Sequence, residues 1–338
     1  MIDVDPETYA LERAPPAPPR NAAGWVRTWL LPSRTLRRRG WPLAVGLLYV
    51  AAIGALGGLR ADHVLLGSLC LLDAYNEKSR LFLKYFLPFI LTGVAFDSMR
   101  YFYWAGIAGH VHVLEPYERD LRWFGIPVGV GAARHLVTPN EFFELHTFRV
   151  LDVLCGLAYL VFVAEYLVAA FGLFFTRRFP LLRQFGWSFL AVNLFGFATY
   201  FLYPAAPPWY VSQYGLGSAR MDVHPSPAAA HRFDVLFHTH FFDHMYGKGI
   251  DVFGAYPSLH VAYPFLVVWL TFQVRAWRWA RLPAVAFYLL MCLSAVYLQH
   301  HYMEDLILGT LYAAGTLWLV RRFLPAPSNH TGGLEAGR

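Results

Sequence analysis

The stretch Leu282–His300, LPAVAFYLLMCLSAVYLQH, runs for 19 residues without an Asp, Glu, Lys or Arg. Two other stretches, Trp41–Leu59 and Phe185–Tyr203, share this property. A helix of about 20 apolar residues is long enough to cross the hydrocarbon core of a bilayer. Charged residues make up only 15% of the 338-residue chain, against about 25% in typical soluble domains. These features predict an all-α fold, a polytopic bundle of membrane helices.

Eight apolar segments are candidate membrane spans. In chain order they are 41–59, 63–75, 84–106, 149–174, 185–203, 257–274, 282–300 and 304–320. The segment 63–75 is short, so it either crosses the membrane, re-enters it or lies at its surface. The sequence therefore predicts six to eight transmembrane helices.

Short basic clusters orient the bundle, because cytoplasmic loops of membrane proteins are enriched in Lys and Arg. The clusters are Arg37–Arg39, Lys78–Lys84, Arg177–Arg183, Arg275–Arg281 and Arg321–Arg322. All of them lie in the cytosol only if 63–75 crosses, which favours eight crossings over six plus an interfacial hairpin. The segments 107–148 and 204–256 and the turn 300–305 then face the outside. The net charge of +6 is explained by this topology and by contact with anionic lipid, and we expect no nucleic-acid partner.

Composition divides the chain into four regions. Residues 1–40 are proline-rich and then basic, which is typical of a disordered cytosolic tail. Residues 41–148 form an N-terminal transmembrane region with an outer amphipathic segment. Residues 149–323 form a transmembrane core with an outer loop, 204–256, and 324–338 form a cytosolic tail. The three cysteines lie in or beside apolar segments and indicate neither a disulfide framework nor a CxxC site.

A histidine and an aspartate stand four residues apart in 297–309, YLQHHYMEDLILG. On a helix, His301 and Asp305 would share one face. The carboxylate could then accept a proton from one ring nitrogen and leave the other as a nucleophile. The alternative is a pair of interfacial polar residues capping a helix that starts near Glu304.

A second histidine opens an apolar run in 251–263, DVFGAYPSLHVAY. Pro257 is expected at the first position of a helix over 257–274, with Ser258 and His260 in its first turn. Free N–H groups and the positive end of the helix dipole make such a turn suitable for phosphate. His260 could protonate a leaving oxygen there; alone, it would more often be an ordinary interfacial residue.

Together, PSLH at 257–260 and HHYMED at 300–305 resemble the second and third signatures of the phosphatidic acid phosphatase type 2 superfamily. The resemblance implies that His301 is the nucleophile and forms a phosphohistidine, that Asp305 orients it, and that His260 is the general acid. Such chemistry needs neither a metal nor another cofactor. The block YPAAPPWY at 203–210 narrows the resemblance to the inositol phosphorylceramide synthase (aureobasidin-resistance) branch and its bacterial relatives. AFDSMRYF at 95–102 is a looser echo of the bacterial members.

The chain departs from the phosphatase pattern at its phosphate-binding cations. Ala295 stands where the third signature has an arginine, and the block at 203–210 stands roughly in place of the first signature's Lys…ArgPro. Arg100 is our first candidate for the missing cation, because charged residues inside membrane spans are usually functional. Its neighbour Asp97 gives the alternative of a structural ion pair. Lys248 and Arg220, in the outer loop, are weaker candidates.

The predicted substrate-binding residues also come from the motif at 257–260 and the block at 203–210. They are Ser258, Pro207, Trp209 and Tyr210, in addition to Arg100, Asp97 and Lys248. Trp209 and Tyr210 are alternatively part of an aromatic belt at the membrane surface.

One polar segment and one pair of acidic residues remain open to interpretation. HTHFFDH at 238–244 contains metal-ligand types, but we expect no metal and interpret the segment as a lid, with Phe241, Phe242 and Tyr246 dipping into the interface. Asp152 and Glu165, both inside one span, bind a polyol headgroup or pair with an arginine.

The resemblance implies a membrane lipid phosphotransferase that moves phosphoinositol from phosphatidylinositol to a lipid alcohol such as ceramide, at the extracytoplasmic face of a bacterial membrane. The runner-up is a lipid phosphatase, in which water replaces the acceptor. A third hypothesis is a transporter or scaffold that has kept the fold without catalysis. The expected partners are lipid substrates, and the oligomeric state stays open.

Overall fold

The computed structural model describes residues 41–55, 58–70, 77–247, 249 and 251–324, and helices dominate it. The helices, in chain order, are α1 (Trp41–Ala55), α2 (Ala61–Ser68), α3 (Glu77–Met99), α4 (Tyr103–Ile107), α5 (Leu114–Phe124), α6 (Pro139–Leu145), α7 (Arg149–Phe175), α8 (Phe179–Leu202), α9 (Pro208–Tyr214), α10 (His231–Phe237), α11 (Phe241–Tyr246), α12 (Leu259–Gln273), α13 (Arg281–Tyr297) and α14 (Met303–Phe323). Two short strands, β1 (Ile126–Val128) and β2 (His135–Val137), form an antiparallel pair between α5 and α6. The predicted tail 1–40 lies outside the described residues, as does the predicted tail 324–338 except for its first residue.

The membrane character of the bundle is confirmed. Among the described residues, five helical segments are long and apolar enough to cross a membrane: Lys78–Met99, Arg149–Phe175, Phe179–Leu202, Arg275–Tyr297 and Met303–Phe323. The fourth consists of α13 and the short 3-10 helix Arg275–Ala280 that precedes it. Two shorter apolar helices, Ala44–Ala55 and Leu259–Gln273, accompany them. The chain is an integral, multi-pass membrane protein with an all-α bundle.

One predicted span has the wrong bounds. The run 84–106 was expected as a single helix, but α3 begins at Glu77 and ends at Met99, and the short α4 follows after a turn. The polar residues Glu77–Arg80 extend the helix beyond the apolar run, since hydropathy marks the membrane-buried part of a helix and not its full length.

The short segment 63–75 is described only as far as residue 70. Its helix α2 has eight residues, about 12 Å at 1.5 Å per residue, so α2 alone does not span a bilayer. Arg60, just before α2, pairs with Asp97 near the end of α3 at 2.7 Å. The start of α2 therefore lies at the same end of the bundle as the end of α3. The eight-crossing topology requires this arrangement, and the crossing itself stays a prediction.

The long helices run between two chemically different ends. His260 lies in the first turn of α12 and His301 precedes α14, so both lie at one end, which we call the histidine end. Three arginine-rich segments, at 177–183, 275–281 and 321–322, lie at the opposite end, which we call the arginine end. The basic clusters of the described core thus share one end, as the orientation argument assumed.

Candidate active site

The turn 298–302 connects α13 to α14 and carries the predicted nucleophile. Gln299 adopts a left-handed conformation (φ 66°), which costs a residue other than glycine about 1 kcal/mol or more. The N–H groups of His300 and His301 both donate to the carbonyl of Ala295, at 3.1 and 3.0 Å. The chain therefore folds back on the end of α13 and buries the side chain of His301, which is 4% exposed.

Two residues from other parts of the chain hold this turn in place. Asn140, at the start of α6, donates through Nδ2 to the carbonyls of Val296 and His301, each at 3.0 Å. The Asn140 carbonyl accepts a hydrogen bond from Nε2 of Gln299 at 2.7 Å, and the backbone N–H of Trp209 donates to the Gln299 carbonyl at 3.0 Å. These buried hydrogen bonds offset the strain at Gln299.

Both ring nitrogens of His301 have partners. Nδ1 lies 2.9 Å from the carbonyl oxygen of Ala255 and 3.3 Å from Oδ2 of Asp305. Both partners accept, so Nδ1 carries the proton and Nε2 keeps its lone pair. Burial lowers the pKa of His301 to about 4, so the ring is neutral at physiological pH. This arrangement suits a nucleophile at Nε2.

His260 faces that lone pair. Its Nδ1 lies 3.1 Å from Nε2 of His301, and Nδ1 of His260 is then the donor. A proton held at this position is available to a group that binds between the two rings. The structure thus brings the three predicted catalytic side chains, including Asp305, into one hydrogen-bonded chain.

The helix starts around the site differ from the sequence predictions in two details. His301 and Asp305 were expected on one helix, but Tyr302 is the N-cap of α14 and His301 precedes it. They still meet, because Asp305 lies in the first turn, where its Oδ2 also accepts the N–H of Tyr302 at 2.9 Å. Pro257 was expected as the first residue of α12, but Ser258 is the N-cap and Leu259 begins the helix.

Close contact between α12 and α14 aligns these two helix starts. The N–H of Ser258 donates to the carbonyl of Asp305 at 3.0 Å. A Cβ atom on Gly309 would lie only 2.1 Å from the carbonyl oxygen of Ser258, so only glycine permits this approach. The hydroxyl of Ser258 is buried without a partner among the described residues, and it is available to a ligand beside the histidines.

Helix α5 contributes two charged residues that the sequence did not single out. Arg119 donates to both carboxylate oxygens of Glu304, through Nε at 2.8 Å and Nη2 at 2.6 Å, and to the hydroxyl of Tyr203 at 2.9 Å. Asp120 is fully buried and accepts the N–H of Met303 at 2.8 Å, so it caps α14. Burial raises the pKa of Asp120 to about 7. An outer amphipathic segment was predicted within residues 41–148, but these contacts were not.

A stack of aromatic rings supports the histidines from one side. Tyr159 of α7 lies against His260, with ring centroids 4.6 Å apart, and against His300, at 5.4 Å. Tyr246 of α11 stacks on the other face of His300 at 4.6 Å. The hydroxyl of Tyr159 and Nε2 of His300 are buried without partners among the described residues. Stacked ring systems of this kind hold both histidines in fixed orientations.

Arg100, the first candidate for phosphate binding, has a carboxylate partner near the end of α3. Arg100 donates through Nε to Asp97 at 3.0 Å, and Arg60 and His63 contact the same carboxylate. The structure therefore contains the ion pair that was the alternative interpretation of Arg100. Lys248 lies outside the described residues.

The outer-loop candidate Arg220 pairs with Asp222 at 3.3 Å, and both side chains are exposed. No contact between this pair and the histidines is present among the described residues. Phosphate binding by Arg220 is thus without structural support.

The block at 203–210 packs inside the protein. Trp209 and Tyr210 are 5% and 1% exposed, so their alternative placement in an aromatic belt at the membrane surface is wrong. Pro207 is the N-cap of α9. The carbonyl of Pro204 accepts the N–H of His112 at 2.8 Å, and the N–H of Ala205 donates to Phe253 at 2.8 Å. The block therefore links the segment that contains His112 to the segment that contains Phe253. A direct role of the block in substrate binding stays a prediction.

The segment 231–246 forms a small helical hairpin, α10–α11, whose sequence invited a metal interpretation. His231, Asp234 and Asp243 lie close enough to share an ion. However, Oδ1 of Asp234 accepts from Thr239 and Phe241, and Oδ2 accepts from the N–H groups of Phe242 and Asp243. The Asp234 carboxylate thus has its lone pairs occupied as the cap of α11.

The predicted lid residues of this hairpin point in different directions. Phe241 is 58% exposed, whereas Phe242 is fully buried. Tyr246 stacks on His300 and does not reach the surface with its hydroxyl. The prediction that all three rings dip into the interface is therefore wrong for Phe242 and Tyr246.

Of the two acidic residues inside α7, one is paired. Asp152 accepts hydrogen bonds from Nε of Arg232 at 2.6 Å and from the hydroxyl of Tyr297 at 2.8 Å. The Arg232 contact joins α10 to the start of α7, and the Tyr297 contact joins the start of α7 to the end of α13. Oε2 of Glu165 is buried without a hydrogen-bond partner among the described residues.

Comparisons with known proteins agree with these observations. The family profile of the PAP2 superfamily matches residues 134–319, more than half of the chain. A phosphoinositol dihydroceramide synthase of Bacteroides thetaiotaomicron is 33% identical over 274 residues, which cover 79% of this chain and 86% of that protein. The inositol phosphorylceramide synthase of Candida albicans is 31% identical, covering 55% of this chain and 39% of that protein. The catalytic subunit of the Schizosaccharomyces pombe synthase is 32% identical, covering 55% and 44%. No solved structure matches the chain.

Proposed function

The chain belongs to the PAP2 superfamily, and from this premise we propose that it is a phosphotransferase that moves phosphoinositol from phosphatidylinositol to a ceramide-type lipid alcohol. The observation that carries the proposal is the hydrogen-bonded chain Asp305–His301–His260. The substrates follow from the bacterial relative, whose name specifies a phosphoinositol dihydroceramide product.

In the first step, Nε2 of His301 attacks the phosphorus of phosphatidylinositol. The bond from phosphorus to the diacylglycerol oxygen breaks, and His260, protonated on both ring nitrogens for this step, donates its Nδ1 proton to that oxygen and becomes neutral. Ala255 and Asp305 hold the Nδ1 proton of His301 and stabilise the positive charge that develops on its ring. The product of this step is a phosphoinositol group on His301.

In the second step, the acceptor hydroxyl gives its proton to His260 and its oxygen attacks phosphorus. The bond from phosphorus to His301 breaks, which releases inositol phosphorylceramide and restores the enzyme. The two rings contact each other directly at 3.1 Å. Substrate binding must therefore separate them, since the phosphoryl group occupies the space between the nucleophile and the acid.

Burial of the site supports transfer over hydrolysis. His301 and Asp305 are 4% and 1% exposed, and an enclosed nucleophile favours a bound lipid alcohol over bulk water. The absence of an arginine at position 295 also favours transfer, because the phosphatase signature carries a cation there.

We place the site at the extracytoplasmic face. The arginine end of the bundle holds the basic clusters, and such clusters remain in the cytoplasm, so the histidine end faces outward. The α10–α11 hairpin then lies at the outer leaflet, next to the site. Its exposed Phe237 and Phe241 (50% and 58%) would contact lipid, while Tyr246 connects the hairpin to His300.

The test uses purified protein in mixed micelles with inositol-labelled phosphatidylinositol, with and without a fluorescent dihydroceramide. We expect labelled inositol phosphorylceramide only when the acceptor is present. The His301→Ala variant should form none, whereas His240→Ala, which alters an exposed histidine at the same end (74%), should keep its activity. Without acceptor, label should remain on the protein in an acid-labile form.

Two results would reject the proposal. Turnover by His301→Ala would exclude His301 as the nucleophile. Release of free inositol phosphate at a rate unaffected by dihydroceramide would instead establish a hydrolase.

A further inference from the structure

The arginine end carries a cavity that takes no part in the proposed reaction. It has a volume of about 500 Å³ and lies between α12 and α14. Its walls are formed by Phe265, Trp269, Leu317, Trp318, Arg321 and Arg322. Residue 318 lies 15 residues along α14 from its first residue, so the cavity is about 22 Å along the helix from the histidines.

The cavity has an apolar part and a cationic mouth. Ala314 also lines the cavity, so five of its seven lining residues are aromatic or aliphatic. Trp318 is 70% exposed, so the cavity opens sideways towards the bilayer. Arg321 and Arg322 lie at the end of the helix, both exposed. The guanidinium of Arg321 lies 6.0 Å from the ring centre of Trp269, which keeps this charge over the cavity.

The polar groups of the cavity are uncompensated within the part of the chain that the structure describes. Among the described residues no carboxylate forms an ion pair with Arg321 or Arg322, and Nε1 of Trp269 has no acceptor. A buried indole N–H without an acceptor costs about 1–3 kcal/mol. Two cations and one unpaired donor beside an apolar slot match a phosphodiester with attached acyl chains.

We propose that this cavity binds one anionic glycerophospholipid of the leaflet at the arginine end. The headgroup phosphate pairs with Arg321 and Arg322, and an acyl chain packs between Phe265, Leu317 and Trp318. Basic pockets between transmembrane helices on the cytoplasmic side are known to bind anionic headgroups. The site lies at the opposite end of α14 from the histidines and is independent of the reaction proposed for them.

The experiment measures thermal unfolding of the purified full-length protein in dodecyl maltoside micelles. Dioleoyl phosphatidylglycerol or dioleoyl phosphatidylcholine is titrated into the micelles. Phosphatidylglycerol should raise the midpoint temperature saturably, by about 3 °C or more, and phosphatidylcholine should not. In Arg321→Gln/Arg322→Gln the half-saturating concentration should rise at least about tenfold.

The matched control is Arg275→Gln/Arg278→Gln, which removes the same charge from two exposed arginines at the same end, outside the cavity. It should keep the response of the unaltered protein. An equal loss in both double variants would show that net charge alone attracts the lipid, and an equal response to phosphatidylcholine would show that no anionic site exists. Either result would overturn the proposal.

Discussion

The Arg119–Glu304 pair offers the sharpest test of how the site is assembled. Glu304 is 6% exposed and directly precedes Asp305 in the chain, and the Arg119 side chain is 30% exposed. Removing one partner of a buried pair leaves an uncompensated charge, at a cost of about 3–5 kcal/mol. Because Arg119 is partly exposed, we expect the lower value, about 3 kcal/mol, for Arg119→Gln.

The double variant Arg119→Gln/Glu304→Gln removes both charges and should lose only about 1 kcal/mol, since no buried charge is left unpaired. The double variant should then be about 2 kcal/mol more stable than Arg119→Gln alone. The activity of Arg119→Gln should fall as well, because an unpaired carboxylate beside Asp305 repels the phosphate of the donor lipid. Glu304→Gln should restore most of that activity.

The measurements are unfolding in mixed micelles and initial rates of lipid transfer for the single and double variants. Arg122→Gln is the matched control, because Arg122 lies on the same helix α5 and is exposed; it should match the unaltered protein. If Arg119→Gln and the double variant were equally unstable and equally inactive, charge compensation would be wrong. Arg119 would then act through its own positive charge.

Three further predictions concern single side chains around the site. The raised pKa of Asp120, about 7 against 3.8, means that the folded protein holds a proton that the unfolded chain releases. The free energy of unfolding should therefore fall by up to ~4 kcal/mol as pH rises from about 4 to about 7, and Asp120→Asn should abolish this dependence. Equal pH profiles of thermal unfolding for the unaltered protein and Asp120→Asn would contradict the raised pKa of Asp120. Asn140→Asp should lower kcat about tenfold or more with little change in KM, because a carboxylate cannot donate to the two carbonyls it faces. An unchanged kcat would show that the turn 298–302 keeps its conformation without the hydrogen bonds from Asn140. Gly309→Ala should destabilise the protein by about 1–3 kcal/mol, since its Cβ would meet the Ser258 carbonyl at 2.1 Å, while Gly315→Ala, with open space around it, should be neutral; equal unfolding midpoints of the two variants would contradict the close contact.

Local sequence patterns were sufficient for the framework of the site. Apolar runs predicted the membrane helices, and the resemblance of HHYMED and PSLH to the superfamily signatures singled out His301, Asp305 and His260, which do meet in space. Two errors lay at helix ends. Asp305 lies in the first turn of a helix that His301 precedes, and hydropathy contains no signal for that boundary because capping depends on backbone geometry.

The charged candidates show a different limit. Arg100 was selected as an intramembrane cation, and the fold pairs it with Asp97. Arg119 lies on an amphipathic helix and resembles a solvated surface residue in sequence, yet it reaches Glu304 from 185 positions away. The role of a charge depends on its partner, and the partner is supplied by packing.

The sequence by itself determined that this chain is a membrane helix bundle with two histidines and an aspartate suited to phosphoryl transfer. Length and hydrophobicity of the runs suffice for the membrane bundle, and the resemblance of PSLH and HHYMED to the superfamily signatures points to the chemistry. Only the tertiary structure decided which groups orient those residues: the carbonyl of Ala255, the amide of Asn140 and the ring of Tyr159. Each comes from a segment distant along the chain, and contacts between distant segments arise from the packing of the whole bundle, which no local pattern encodes.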